Sequence, residues 1–116
     1  MTLVVILTVR CMAIEAFWAF ETQAAAIMTG HGGAIERTIV MPPSDETGCF
    51  QEVHIVTFPD EAAFTAYRVD PALRAVAHLR GEAVVSTEVL MGVDGPTYGD
   101  SAPQGRKRPN RRPLPS

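Results

Sequence analysis

Three ionisable side chains near the middle of the chain could support acid–base chemistry. Glu52 and His54 are two residues apart in the segment 49–58, whose alternating pattern predicts a strand, so both should lie on one face of it. Glu36 belongs to the preceding predicted strand, and a hairpin loop centred near Asp45 would place Glu36 opposite His54. A carboxylate beside His54 would hold its tautomer, as a general base requires. His54 and Glu36 are therefore the candidate catalytic residues.

Further polar side chains extend this group into a predicted ligand site. Counting alternate positions places them on the sheet face that points away from the helices; they are Thr8, Arg10, Glu52, His54 and Glu88. Burying several ionisable groups costs free energy unless they pair or line a solvated cavity. One interpretation is a ligand-binding cavity, and the other is a set of hydrogen bonds between subunits at the sheet rim. Trp18, beside the apolar stripe of the first helix, could stack on a flat ligand or serve packing alone.

The elements that position these residues follow from hydrophobic periodicity. Strands are predicted at 2–10, 34–41, 49–58 and 83–91, and a helix at about 13–28. Asp60 is a predicted N-cap, and Asp70-Pro71 marks a second helix start, so the second helical arm should break near Val69 and continue to Gly81. The order βαββαβ predicts an α+β fold: a four-stranded antiparallel sheet with both helices on one face. The uncovered face should then bury itself against a second copy.

Composition bounds the class of protein. The chain has 116 residues, 47% hydrophobic and 20% charged, which suits one globular domain with a modest core. No apolar run is long enough to span a bilayer, and the apolar start lacks the basic segment and cleavage site of a signal peptide. Cys11 and Cys49 lack metal-ligand spacing. We therefore expect a cytoplasmic protein with no membrane association, no metal site and no cofactor.

Charge divides the chain into two parts. Residues 1–98 carry five arginines against twelve acidic residues, whereas residues 99–116 carry five basic residues against one acidic residue. We expect a domain at 1–98 and a flexible, proline-rich basic tail at 99–116. The tail could bind nucleic acid, or it could tether to an acidic protein surface. Because the tail has no interleaved aromatic residues and the domain is acidic, nucleic acid is an unlikely main partner.

Three segments carry a resemblance to a known family. The run from His31 to Arg37 opens with a glycine pair before the second strand, the run from Phe58 to Tyr67 opens the second helix, and Leu79-Arg80 follows. These segments resemble small proteins of the dimeric α/β-barrel superfamily, in particular a branch of domains of unknown function. The resemblance implies a ferredoxin-like sheet with strand order four, one, three, two, and two such sheets packed face to face. The superfamily includes antibiotic-biosynthesis-type monooxygenases, haem-degrading enzymes and muconolactone isomerases.

Two functional hypotheses remain open on this basis. In the first, a small homodimer binds a partly apolar organic ligand in a cavity on the sheet face and carries out cofactor-free monooxygenase or isomerase chemistry. In the second, the protein is a non-catalytic structural or regulatory module whose interior is filled by its own side chains. An open pocket that reaches His54 favours the first hypothesis. Contacts of Phe58, Val56 and Met91 across a packed interface favour the second.

Overall fold

The computed structural model describes residues 1–99 of the chain. The strands are β1 (Thr2–Arg10), β2 (Ala34–Val40), β3 (Cys49–Thr57) and β4 (Val84–Gly92), and the helices are α1 (Ile14–Gly30), α2 (Glu61–Arg68), α3 (Pro71–Ala75) and α4 (Ala77–Ala83). A short 3-10 turn, Cys11–Ala13, leads into α1. The strands form one antiparallel sheet in the order β2-β3-β1-β4, and the helices pack on one of its faces. The predicted α+β ferredoxin-like fold and strand order are confirmed.

The helices α2, α3 and α4 form the predicted second helical arm, and local sequence determines where it starts and breaks. The Asp60 carboxylate accepts a hydrogen bond of 2.8 Å from the backbone N–H of Ala63 and so caps α2. The Asp70 carboxylate caps α3 in the same way, and Pro71 occupies the first helical position. The break predicted near Val69 is confirmed, because that residue ends α2.

A glycine pair joins α1 to β2 at a crowded corner. Gly32 has φ +78°, a left-handed conformation that side chains disfavour. Gly33 is buried, and a Cβ atom there would lie 2.5 Å from Cε1 of Phe58. The corner brings the end of α1 against the residue that follows β3.

The β1–β3 register shows which residues share a face. Val5 pairs with His54 and Leu7 pairs with Glu52. Leu7 is buried under the helices, and directly paired residues point to the same side of a sheet. Glu52 and His54 therefore lie on the helix-covered face, and the prediction that placed them on the open face is wrong. The prediction assigned the alternate residues of this strand to the wrong faces. Successive side chains of a strand point to opposite faces, so a shift of one position exchanges them.

The β2–β3 register also differs from the prediction. Thr38, two residues further along than expected, lies opposite His54. A register shift between Ile35 and Arg37 displaces Glu36, which is exposed and accepts a 2.9 Å hydrogen bond from the Thr57 hydroxyl. The predicted juxtaposition of Glu36 and His54 is therefore wrong.

The remaining residues predicted on the open face do lie there. Glu88 pairs with Ile6, and Thr8 pairs with Ser86, on the side opposite Leu7. The open face also carries a half-buried apolar row across the central strands, formed by Val4, Ile6, Val53 and Ile55. No helix of residues 1–99 is long and apolar enough to cross a membrane.

Candidate active site

A cavity of about 420 Å³ lies between the helix-covered face of the sheet and the helices. Its wall is largely apolar and combines β1, β3, α1 and the second helical arm. The apolar side chains that line it include Leu3, Val5, Leu7, Phe20, Met28, Val56, Phe58, Phe64 and Leu73. Its volume falls in the range of roughly 300–1,000 Å³ that is usual for small-molecule sites.

A buried carboxylate–imidazole pair stands in the wall of this cavity. His54 Nε2 lies 2.6 Å from Glu52 Oε2, and the two residues are 5% and 8% exposed. An ionised carboxylate can only accept hydrogen bonds, so Nε2 is the donor in this contact, and in the neutral form of such a ring Nδ1 has a lone pair. His54 lines the cavity, whereas Glu52 does not. Glu52 therefore orients a ring whose free nitrogen can accept a proton.

A second carboxylate approaches His54 from α1. Glu21 Oε1 lies 3.9 Å from His54 Nδ1, which is too long for a direct hydrogen bond, and Glu21 lines the cavity. Burial raises the pKa of the Glu21 carboxyl, the nearby Glu52 raises it further, and His54 and Arg80 oppose the rise. A polar atom of a ligand that lies to one side of the line from Oε1 to Nδ1 can be within hydrogen-bond distance of both groups.

Tyr67 supplies a hydroxyl to the same cavity from α2. Burial and the negative charge of Glu21 raise the pKa of Tyr67 to about 12, although Arg80 partly offsets this. The phenol is consequently protonated at neutral pH and can donate a hydrogen bond. Its ring packs against Phe58 with centroids 5.5 Å apart, which fixes its position.

Three arginines complete the polar part of the wall: Arg68, Arg74 and Arg80. The Arg68 guanidinium lies 5.4 Å from the centroid of the Phe64 ring, a cation–π arrangement. Arg80 donates a hydrogen bond to the Thr87 hydroxyl on β4. These contacts hold two guanidinium groups at the cavity wall.

Only two of the predicted site residues, Glu52 and His54, come together here. Thr8 and Arg10 line a separate cleft on the other side of the sheet, and Arg10 donates a 2.9 Å hydrogen bond to the Glu82 carbonyl. Glu88 lies on the open face, and Trp18 is 57% exposed on α1. Neither residue lines the cavity. Their roles as ligand-binding residues stay predictions.

The sequence analysis did not select Glu21, Tyr67 or the arginines. For Glu21 a signal was present, because it lies four residues after Phe17 and three before Ala24, on the buried stripe of α1. A carboxylate at such a position needs a partner or a solvated cavity. Across residues 1–99, no cluster of three or more histidine, cysteine or acidic side chains is arranged to hold a metal ion.

Comparison with known proteins yields structural likeness alone. No protein-family model matches the chain, and no curated protein matches it. Among solved structures, SnoaB, a cofactor-independent oxygenase from Streptomyces nogalater, is 17% identical with a TM-score of 0.55, covering 81% of this chain and 93% of its own. A protein of unknown function from Rhodopseudomonas palustris is 21% identical with a TM-score of 0.62, covering 81% and 84%. An antibiotic biosynthesis monooxygenase is 13% identical with a TM-score of 0.57, covering 83% and 100%.

These identities show a common fold and no more. Of these similar structures, one is a cofactor-independent oxygenase, one is an antibiotic biosynthesis monooxygenase and one is a protein of unknown function. The fold is thus one on which antibiotic-biosynthesis monooxygenases are built, as the sequence resemblance implied.

Proposed function

We propose that the protein binds a small, partly apolar organic compound in the helix-side cavity and removes a proton from it with His54. The observation that carries the proposal is the buried Glu52–His54 contact of 2.6 Å, whose imidazole lies in the wall of a largely apolar cavity. A solvent-exposed pair could serve solubility alone, whereas a buried imidazole beside open space has a route to a ligand. The cavity that reaches His54 also favours this function over the module filled by its own side chains.

The first chemical step follows from the orientation of the ring. Glu52 holds the hydrogen on Nε2, so Nδ1 takes the proton from an activated C–H of the substrate and the imidazolium is stabilised by Glu52. The protonated Tyr67 hydroxyl can donate a hydrogen bond to the oxyanion of the resulting enolate. A bound substrate displaces water from the cavity, which protects the carbanion from being quenched.

Two outcomes are open to that carbanion, and neither needs a cofactor. Return of the proton to a different carbon gives an isomer. If the substrate carbon is a CH2 group, the carbanion combines with dioxygen and, on protonation by the imidazolium, gives a hydroperoxide. Loss of the second hydrogen of that carbon with cleavage of the O–O bond then releases water and leaves a carbonyl. In the second outcome the substrate supplies all the electrons, with one oxygen atom in the product and the other in water. The cofactor-independent oxygenase among the similar structures supports the oxygenase outcome as the first to test.

We also propose that the open face of the sheet is covered by a second copy, giving a homodimer. The apolar row formed by Val4, Ile6, Val53 and Ile55 supports this, because helices cover only the opposite face. Sedimentation velocity should give the mass of two chains. Ile6→Arg should give the mass of one, and Val40→Arg, at an exposed position on β2 outside the row, should leave the dimer intact. A monomeric wild type at micromolar concentration would refute this assembly.

The proton-transfer step can be measured without knowing the natural substrate. 2-Tetralone has an apolar ring and an activated CH2 group, and its exchange of hydrogen for deuterium in D2O is followed by NMR. We expect the wild type to accelerate the exchange, and His54→Gln to reduce the acceleration by at least about a hundredfold, the usual contribution of a general base. Glu36→Gln, which changes an exposed carboxylate remote from the cavity, should retain the wild-type rate.

Two further measurements complete the test. Val89→Trp should slow exchange by filling the cavity from β4, whereas Val40→Trp, at a position outside the cavity wall, should not. An oxygen electrode then separates oxygenation, which consumes dioxygen, from isomerisation. Equal exchange rates for the wild type and His54→Gln would refute His54 as the base.

A further inference from the structure

We infer that the cavity selects organic anions, and that its ligand is an apolar acid whose carboxylate is held by Arg74 together with Arg68 and Arg80. This inference rests on the proposed function, because it names the class of compound that the same cavity takes. Its basis is the distribution of charge, which at the cavity is opposite to that of the rest of the domain.

The charges of the domain are unevenly divided between the cavity and the remaining surface. Residues 1–98 hold five arginines and twelve acidic residues, yet three of the arginines line the cavity and Glu21 is the one acidic residue of 1–99 that does so. An acidic surface repels anions, whereas a cleft lined with guanidinium groups focuses a positive potential. The cavity is therefore the part of this domain that is suited to an anion.

The three arginines come from three separate elements. Arg68 lies in the last turn of α2, Arg74 in the last turn of α3, and Arg80 in α4. A solvated row of charges on one regular helix would place its members three or four residues apart. Here the two helix breaks bring residues six apart to one wall of the cavity. The broken second helical arm thus has a consequence for the site as well as for the fold.

Within the described residues no direct ion pair neutralises these three positive charges, and the charge of Arg80 acts on the Glu21 carboxyl only at longer range. Within residues 1–99, none of the three forms an ion pair with a carboxylate at 4.0 Å or less. Arg68 contacts an aromatic ring and Arg80 donates to a neutral hydroxyl, while Arg74 has neither kind of contact among those residues. Guanidinium groups so placed bind a carboxylate through paired, charge-assisted hydrogen bonds.

The rest of the wall defines the remainder of the ligand. Leu3, Met28 and Phe58 provide apolar surface against which a flat ring system can pack, and His54 lines the same cavity. A compound whose carboxylate contacts the arginines can therefore bury its apolar body against these side chains. An amphipathic acid of this kind matches both parts of the site.

A pair of compounds of the same shape tests the inference. 2-Naphthoate and its neutral analogue 2-naphthamide are titrated into the full-length protein by calorimetry at low salt. We expect the carboxylate to bind about tenfold more tightly than the amide, as charge-assisted hydrogen bonds predict, and added salt to reduce the difference. Arg74→Gln should abolish most of the preference for the carboxylate. Arg37→Gln, the matched control on the open face, should preserve it.

The possible outcomes distinguish the anion preference from the proposed ligand-binding function on which it rests. Equal affinity for the two compounds would overturn the anion preference while cavity binding stands. A preference that survives in Arg74→Gln and disappears in Arg37→Gln would also overturn it, by assigning the anion to another surface. Failure of both compounds to bind would overturn the proposed ligand-binding function together with the inference.

Discussion

Removing either member of the Glu52–His54 pair should destabilise the fold strongly, because the other member stays buried. The residues are 8% and 5% exposed, and the contact is 2.6 Å. Breaking a buried pair from one side costs about 3–5 kcal/mol. Since His54 borders a cavity that water can enter, we expect the lower value, about 3 kcal/mol, for Glu52→Leu and for His54→Leu. For a domain of this size that loss lowers Tm by roughly 12–24 °C.

The double variant Glu52→Leu/His54→Leu distinguishes a true pair from two independent buried groups. Leucines at both positions leave no polar group unpaired, so the double variant should lose no more than about 3 kcal/mol instead of roughly 6 kcal/mol. The resulting coupling energy of about 3 kcal/mol is at the upper end for residues in contact. Urea unfolding followed by circular dichroism, at fixed protein concentration and neutral pH, gives all four free energies of unfolding.

A surface carboxylate provides the control for these four measurements of unfolding free energy. Glu36 is exposed and bonded to the Thr57 hydroxyl, so Glu36→Leu should change the free energy of unfolding by no more than about 0.5 kcal/mol. If the effects of Glu52→Leu and His54→Leu add to within about 0.5 kcal/mol in the double variant, the two residues do not interact in the folded protein. The assignment of His54 as an oriented base would then lose its structural basis.

Three further predictions concern the glycine corner and two carboxyl groups. Gly33→Ala should destabilise by about 1–3 kcal/mol in urea unfolding, because its Cβ would lie 2.5 Å from a Phe58 ring carbon. Burial raises the pKa of Glu21 above 4.5, so its contribution to stability is full below that pH and is lost as pH rises through the raised pKa. The stability of the wild type relative to Glu21→Gln should therefore fall with rising pH. The hydrogen bond from His31 lowers the pKa of Asp70 below 3.8, so the advantage of the wild type over Asp70→Asn should exist above that pH and vanish as pH falls through the lowered pKa.

Each of these predictions has its own control or contrary result. Gly30→Ala adds a Cβ with nothing within 4 Å and should not destabilise, so an equal loss at Gly30 and Gly33 would contradict the steric explanation. A stability difference for Glu21→Gln that does not change with pH would show that Glu21 titrates alike in the folded and unfolded protein. For Asp70→Asn, a difference that persists at the lowest pH would point to lost packing.

Much of the fold could be predicted because local rules and global packing agree in this chain. Asp60 and Asp70-Pro71 are start signals that act within one helical turn, so tertiary contacts need not decide them. The apolar continuity of β1 marks it as central, since both faces of a central strand in such a sheet are covered or half-covered. The strand order follows from placing the most apolar strands in the middle.

The faces of β3 could not be predicted in the same way, for a physical reason. Both of its faces carry apolar residues, with Val53 and Ile55 on one and Val56 and Phe50 on the other, so hydrophobic pattern alone does not choose between them. The strand pairs with β1 across a helical connection, and no turn fixes that register. Glu52 and His54 were assigned to the open face because of a preference for placing the apolar residues Val53 and Ile55 under the helices.

That preference failed where the site lies, and the failure is informative. Glu52 and His54 occupy core-facing positions because they satisfy each other, and Glu21 occupies a core-facing position of α1 beside the same cavity. Burying these three polar groups, on two different elements, costs desolvation free energy. Apolar residues at the same positions would pack without that cost. In each element the polar residue interrupts an otherwise apolar buried stripe. Polar residues that interrupt buried apolar stripes and lie close together in the fold therefore indicate a site more reliably than polar residues on the open face. An exposed charged residue is common on any protein surface and does not by itself indicate a function.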